Sequence, residues 1–246
     1  MAVIAVFSIK GGVGKTTLAT ELAWRWAQGS VHSTLLWDLD PQGGASFLAG
    51  VAEPQRHRAA AIFQRDGRPR EAIVPSGHAG LAMIPADPSL RQLPLLLPRL
   101  GPRRLQQMTG LSSVSEQALV AADAIIVPLP PSPLSLRALD QLREGLVRLH
   151  SCHAPILPVL SMYSSRRPLH REVRVGRAAA WPTIPLATQI EQVAVRRAPL
   201  TSFAGGSQAD RAFGRLWRGI EARVSQADVD PDAAAIPLRL DQAAIA

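Results

Sequence analysis

Short apolar runs alternate along this chain with longer stretches in which apolar residues recur every three or four positions. Ala2–Phe7 is apolar and β-branched and ends at Ser8 and a group of glycines, which predicts a short buried parallel strand. Thr16 to about Gln28 predicts a helix with Leu18, Leu22 and Ala23 on one face. Further strands are predicted at Ser33–Asp38, Leu81–Pro85, Ala124–Val127 and Pro155–Met162. Ser135–His150 carries Leu136, Leu139, Leu142, Leu146 and Leu149 at helical spacing. Residues 53–75 are polar and arginine-rich and predict a helix with loops, and 115–122 predict a helical stretch. In a last helix, 207–224, the residues Ala209, Ala212, Phe213, Leu216, Trp217 and Ile220 share a core-facing stripe.

Strands alternating with helices predict an α/β fold, a three-layer sandwich whose mostly parallel sheet has helices on both faces. With no internal repeat and no linker, residues 1–224 read as one domain. The tail from Ser225 is acidic and alanine-rich, is broken by Pro231 and Pro237, and is expected to fray.

Composition narrows the picture. Hydrophobic residues make up 47% of the 246, enough for a globular core. The single Cys152 excludes an internal disulfide and a cysteine zinc cluster, and the first apolar stretch is too short for a membrane span, so a cytoplasmic protein is expected. The net charge of +8 suits a polyanionic partner, nucleic acid first. Of 27 basic Lys and Arg residues only two are lysine, Lys10 and Lys15, and both lie in one glycine-rich loop. Where either residue would serve, this chain uses arginine. A compact ammonium on a slim stem fits a tight loop that a planar guanidinium does not, so both lysines are assigned specific roles.

That loop is SIKGGVGKTTLA, residues 8–19, placed between the first strand and the first helix. Gly14, Lys15 and Thr16 match the end of a phosphate-binding loop, while Ile9 stands where the first glycine usually is. Gly11, Gly12 and Gly14 let backbone N–H groups turn around phosphate oxygens, and the helix that follows points its positive end at the same anion. Lys15 suits the β and γ phosphates and the Thr16 hydroxyl suits Mg²⁺. The nucleotide-binding set is Gly11, Gly12, Val13, Gly14, Lys15, Thr16 and Thr17. The second strand ends in WDLDPQGGAS, with Asp38 and Asp40 at the carboxyl edge where open α/β sheets bind ligands. Two carboxylates there suit control of a metal and a water; the alternative is a polar turn in which Asp-Pro is a turn former.

KGGVGKTT resembles the deviant phosphate loop of the ParA/MinD ATPases, in which a signature lysine stands at the place of Lys10. DLDPQGGAS (38–46), ALVAADAIIVPLPPSPLSLRAL (118–139), SMYSSRRPLHREV (161–173) and IPLATQIEQVAVRRAPL (184–200) resemble further segments of the same family. The resemblance implies ATP and Mg²⁺ as cofactors and a homodimer formed on ATP binding, with Lys10 crossing to the partner's phosphates. It also implies that Asp40 orients the attacking water, that Asp38 organises the metal's surroundings together with Thr16, and that a small adaptor protein stimulates hydrolysis. The chain departs from the family where a strand ending in Asp-x-Pro-Pro is expected. Gln106 falls at the aspartate's place, and no acid occurs between Asp87 and Glu116. Either a central strand is lost or replaced, or the chain carries a deletion; Asp87 is a candidate stand-in. Weaker Mg²⁺ binding and slower hydrolysis are expected.

Residues 160–224 hold eleven arginines and four acids. One group comprises Arg166, Arg167, His170, Arg171, Arg174 and Arg177, and another, Arg211, Arg215 and Arg218, forms a stripe on the last helix opposite its apolar face. No base-reading motif accompanies them, so binding to double-stranded DNA, implied by the resemblance, is expected to be non-specific and to place the protein on the nucleoid. The tail lacks the basic amphipathic helix that a membrane-bound relative would need, and no membrane partner is expected. Two other readings stand beside the DNA-positioning ATPase. One is a metabolic ATP-dependent enzyme of the same fold, like dethiobiotin or cobyrinate synthetases. The other is a switch that binds ATP and DNA but barely hydrolyses.

Overall fold

The structure, a computed structural model, describes residues 2–29, 33–51, 62, 69–92, 118–149 and 153–227. Gln106 and its surroundings, most of the stretch 53–68, residues 115–117 and the tail from 228 onward lie outside the described residues. The described residues form two compact units, one drawn from 1–15, 119–190 and 204–227, the other from 16–118 and 191–203.

In the first unit, β1 (Ile4–Val6), β5 (Ala124–Leu129), β6 (Ile156–Tyr163) and β7 (Thr183–Pro185) form a sheet in that order, every pair parallel. Parallel neighbours need a crossover, and α3 (Pro133–Leu149) supplies the one from β5 to β6. All six residues of β5 are buried, as a strand covered on both faces must be, which is why its sequence is a continuous apolar run. β1 is only half-buried along its length, more open than its apolar sequence predicts. The Asp123 carboxylate accepts the Val3 N–H at 2.7 Å and ties the start of β1 to β5. On α3, Leu139, Leu142 and Leu146 are buried as their spacing predicts. Two further helices complete the unit, α4 (Pro168–Val175) and α7 (Gln208–Ala227). Val173 of α4 packs with Leu160 and Ala178, and α7 buries Ala209, Ala212, Phe213, Leu216 and Ile220 of the stripe read from the sequence, while Trp217 of that stripe is half-buried.

In the second unit, α1 (Lys15–Gly29) follows the glycine loop and belongs to this unit from Thr16 onward. Its sheet has the order β2 (Thr34–Trp37), β4 (Leu81–Ile84), β3 (Val74–Pro75), with β2 and β4 parallel and β3 antiparallel. The short helix α2 (Gly44–Leu48) places Ala45 against Met83 and Ala49. β3 and β7 were not predicted, since two or three residues carry no readable period. α5 (Thr188–Arg196) leads to α6 (Leu200–Phe203). The Glu21 side chain of α1 is fully buried; one of its oxygens accepts the Leu200 N–H at 2.8 Å, and the other lies 3.5 Å from the Arg25 guanidinium one turn along. A carboxylate at the first residue of a helix satisfies a donor that the helix itself cannot.

Removing one member of a buried charged pair strands the other. Glu21→Ala is therefore expected to lower stability by about 3 kcal/mol or more in urea unfolding, and Glu21→Gln, which keeps an acceptor for Leu200, by visibly less.

Candidate nucleotide site and basic surface

The glycine loop is held by local geometry. The Lys10 N–H donates to Ser8 Oγ at 3.3 Å, and the Ser8 hydroxyl donates to the Lys10 carbonyl at 3.2 Å. Val13 is buried and anchors the loop, while Gly12 and Gly14 have φ of 72° and 86°, a region side-chain-bearing residues rarely adopt. A Cβ built at Gly11, Gly12 or Gly14 would meet nothing within 4 Å, so the loop borders open space of the kind a phosphate group fills. Lys10, Lys15, Thr16 and Thr17 are each half-buried, and α1 starts at Lys15, where the first amide groups of a helix have no partner within it.

The turn after β2 is built around Asp38, which is 5% exposed. One carboxylate oxygen accepts both the Ser46 N–H and the Ser46 hydroxyl at 2.9 Å, and the other accepts the Asp40 N–H at 3.1 Å. Ser46 Oγ in turn accepts the Ala86 N–H at 3.0 Å, so one buried carboxylate joins the end of β2, the start of α2 and the residues after β4. Asp40 accepts the Gln42 N–H at 3.0 Å. At Gly44 a Cβ would stand 3.2 Å from the Thr16 methyl, so the turn's backbone lies directly against the Thr16 side chain. This brings Thr16, Asp38 and Asp40 into one neighbourhood, with Asp38 occupied in shaping the turn.

Among the described residues no group of three His, Cys, Asp or Glu side chains could hold a metal ion. The Thr16 hydroxyl and the Asp40 carboxylate supply hard oxygen donors, few in number. That fits Mg²⁺, which takes one or two protein oxygens and completes its shell with phosphate oxygens and water. Asp87 is buried and accepts the Ser89 N–H at 2.7 Å, starting a short 3₁₀ turn.

The arginines predicted to meet DNA differ in their freedom. Arg166 and Arg167 are exposed at the start of α4, and Arg215 and Arg218 are exposed on α7; none forms an ion pair among the described residues. Arg171 and Arg211 are exposed but also donate to the Ser165 and Gly206 carbonyls. Arg174 is half-buried and donates to the Ala178 and Ala179 carbonyls, and Arg177 is paired with Asp140. His170, grouped with these cations in the sequence, is buried, and its Nδ1 accepts the Ser164 N–H at 3.0 Å, a role open only to an unprotonated nitrogen. Burial first, and the Arg167 charge second, lower its pKa. Arg196 and Arg197 were missed. The Arg196 guanidinium lies 4.9 Å from the Phe203 ring centroid, and that of Arg197 lies 3.9 Å from the centroid of Phe47, a partner distant in sequence that no local pattern shows.

A glycine loop opening a helix beside a parallel sheet defines a phosphate-loop nucleotide-binding protein. The comparisons with known proteins agree. A family model described as an AAA domain matches residues 1–116. The chain is 29% identical over 198 residues to the chromosome partitioning protein ParA of Caulobacter vibrioides, covering 70% of this chain and 74% of that protein. It is 28% identical over 248 residues to the chromosome-partitioning ATPase Soj of Thermus thermophilus, covering 91% and 97%. The solved structure of cobyrinic acid a,c-diamide synthase from Mycobacterium smegmatis, with bound ADP and magnesium, superposes with a TM-score of 0.72 over 98% of this chain and 100% of that one; at 20% identity this is a likeness of fold. The chain is thus similar to ParA and Soj partitioning proteins along most of its length and shares the fold of phosphate-loop ATPases. No helix among the described residues is long and apolar enough to cross a membrane.

Two outcomes follow from the geometry. Ser46→Ala leaves the Ala86 N–H without its acceptor and removes one of the two donors on an Asp38 oxygen, and should lower stability by about 1–3 kcal/mol in urea unfolding with no change of charge. For His170, the unfolded imidazole takes up its proton first as the pH falls, because its pKa is lowered in the fold. Its contribution to stability is complete above the ordinary value of about 6.5 and is lost as pH falls from there through the folded value. Melting temperatures should therefore fall between pH 8 and pH 5.5, and less steeply in His170→Gln.

Proposed function

We propose that this protein is a ParA-type switch. It binds ATP with Mg²⁺, dimerises, holds double-stranded DNA without sequence preference, and positions a cargo as a small adaptor protein stimulates hydrolysis. The reading is supported by ParA and Soj relatives, whose names describe chromosome partitioning. The observation that carries it toward DNA is the exposed arginine stripe Arg211, Arg215 and Arg218 on α7, whose opposite face is core. A backbone-tracking surface needs cations and no base-reading element.

In this reading Gly11, Gly12, Val13, Gly14, Lys15, Thr16 and Thr17 hold the phosphates through backbone N–H groups, the Lys15 ammonium and two hydroxyls. Bound Mg²⁺ supplies charge neutralisation on the phosphates. Asp40 orients the attacking water, and Asp38 holds the turn that aims it. Lys10 reaches the phosphates of the second subunit, so that nucleotide and dimer depend on each other. Cytoplasmic, nucleoid-bound protein is the expected distribution, and the cargo is a plasmid, a chromosome locus or a protein assembly such as carboxysomes. Gln106 in place of an acid makes hydrolysis slow. A metabolic reading draws on the fold likeness to cobyrinic acid a,c-diamide synthase. A nucleic-acid surface is not needed there, so DNA binding separates the two.

Binding to random double-stranded DNA should require ATP and Mg²⁺, fail with ADP, and be lost in Lys15→Ala. Replacing Arg211, Arg215 and Arg218 together by alanine should weaken it and flatten the slope of log K against log salt by about 0.9 for each phosphate that the variant no longer neutralises. Equal affinity with ADP, or an unchanged slope, would overturn the reading.

A further inference from the structure

We propose that Arg197 is a positioning residue for the turn that carries Asp40, acting through its stack on Phe47; the inference rests on the ATPase reading above. Arg197 has φ 49°, in the left-handed region, a conformation that among the described non-glycine residues only Met162 shares. It closes α5, its N–H donating to the Val193 carbonyl at 2.8 Å. Glycine or asparagine ordinarily fills such a helix end because neither is strained there. An exposed arginine that keeps this backbone points to a use for its side chain.

The backbone about Arg197 is held on either side. The Arg197 backbone lies beside the His78 side chain. Three residues further on, the Leu200 N–H is held by the buried Glu21 of α1. With the backbone fixed at both ends, the guanidinium carbon lies 3.9 Å from the Phe47 ring centroid, well within cation–π range. Phe47 is 49% exposed, so its ring is not held by deep burial. It stands on α2, five residues long, and a helix that short is not stable by itself. α2 follows the Asp40 turn directly and includes Ser46, the partner of Asp38. A cavity of about 420 Å³ borders the same elements, lined by Gln42, Phe47, Val51, Asp87 and Arg197 among others. A short helix beside open space depends on its few neighbours, and the Arg197–Phe47 stack joins it to a segment anchored on α1. Arg197 thereby acts on the Asp40 turn through Phe47.

The test uses the full chain. Arg197→Gly adopts φ 49° without strain and removes only the side chain, so its melting temperature should stay within about 2 °C of wild type. Amide exchange at residues 42–47 should rise about three- to fivefold, the size of an exposed cation–π interaction, and kcat should fall several-fold while the Kd for ATP holds within about twofold. Phe47→Leu should reproduce both effects, the double variant should be no worse than either single one, and Arg197→Lys, which keeps a cation over the ring, should recover part of them. Unchanged exchange in Arg197→Gly, or additive losses in the double variant, overturns the proposal. Failure of the ATPase reading shows instead in the wild type, as absent turnover, and leaves the exchange measurement to decide on the stack.

Discussion

Everything near the candidate site hangs on one buried carboxylate. Asp38 accepts three hydrogen bonds, two from Ser46 and one from the Asp40 backbone, while Ser46 passes the connection on to Ala86. A carboxylate in so little water is tolerable only when its lone pairs are used. Here that requirement becomes an organising device: the end of β2, the start of α2 and the chain after β4 share one polar knot. The Asp40 turn has its shape because of it, and the Gly44 backbone comes against Thr16.

Glu21 serves a similar end in the same unit. It is buried in the helix that follows the phosphate loop and holds the first amide of α6. Two acids placed inside, each accepting at least one backbone N–H, tie together segments far apart in the chain. Arginines do the opposite work. Arg211, Arg215 and Arg218 on α7 stay at the surface, because the helix has one apolar face and they occupy the other. Those at 174 and 177 are consumed by nearby carbonyls and by Asp140. Equal charges in the sequence thus become unequal in what they can offer a polyanion.

The glycine loop resembles that of the ParA/MinD ATPases, and ParA and Soj are relatives at 29% and 28% identity; dimerisation, DNA binding and hydrolysis are properties this chain is proposed to share with them. The segment around Gln106, where the sequence departs from the ParA/MinD pattern, bears on the proposed hydrolysis most directly, since it carries no acid.

The sequence by itself determined the alternation of strands and helices, the apolar faces of α3 and α7, and the phosphate loop, because each depends on local spacing. Gly12 and Gly14 were readable as turn formers, and the solitary pair Lys10 and Lys15 stood out against a background of arginine. β3 and β7 were not readable, being too short to show a period. Tertiary structure alone decided that Asp38 would be buried and satisfied, that His170 would leave the basic surface for the core, and that Arg197 would meet Phe47 about 150 residues away. Such pairings are set by which segments the sheet and helices bring together, and burial, not residue type, then decides whether a charge is a free cation, a buried anchor or a brace.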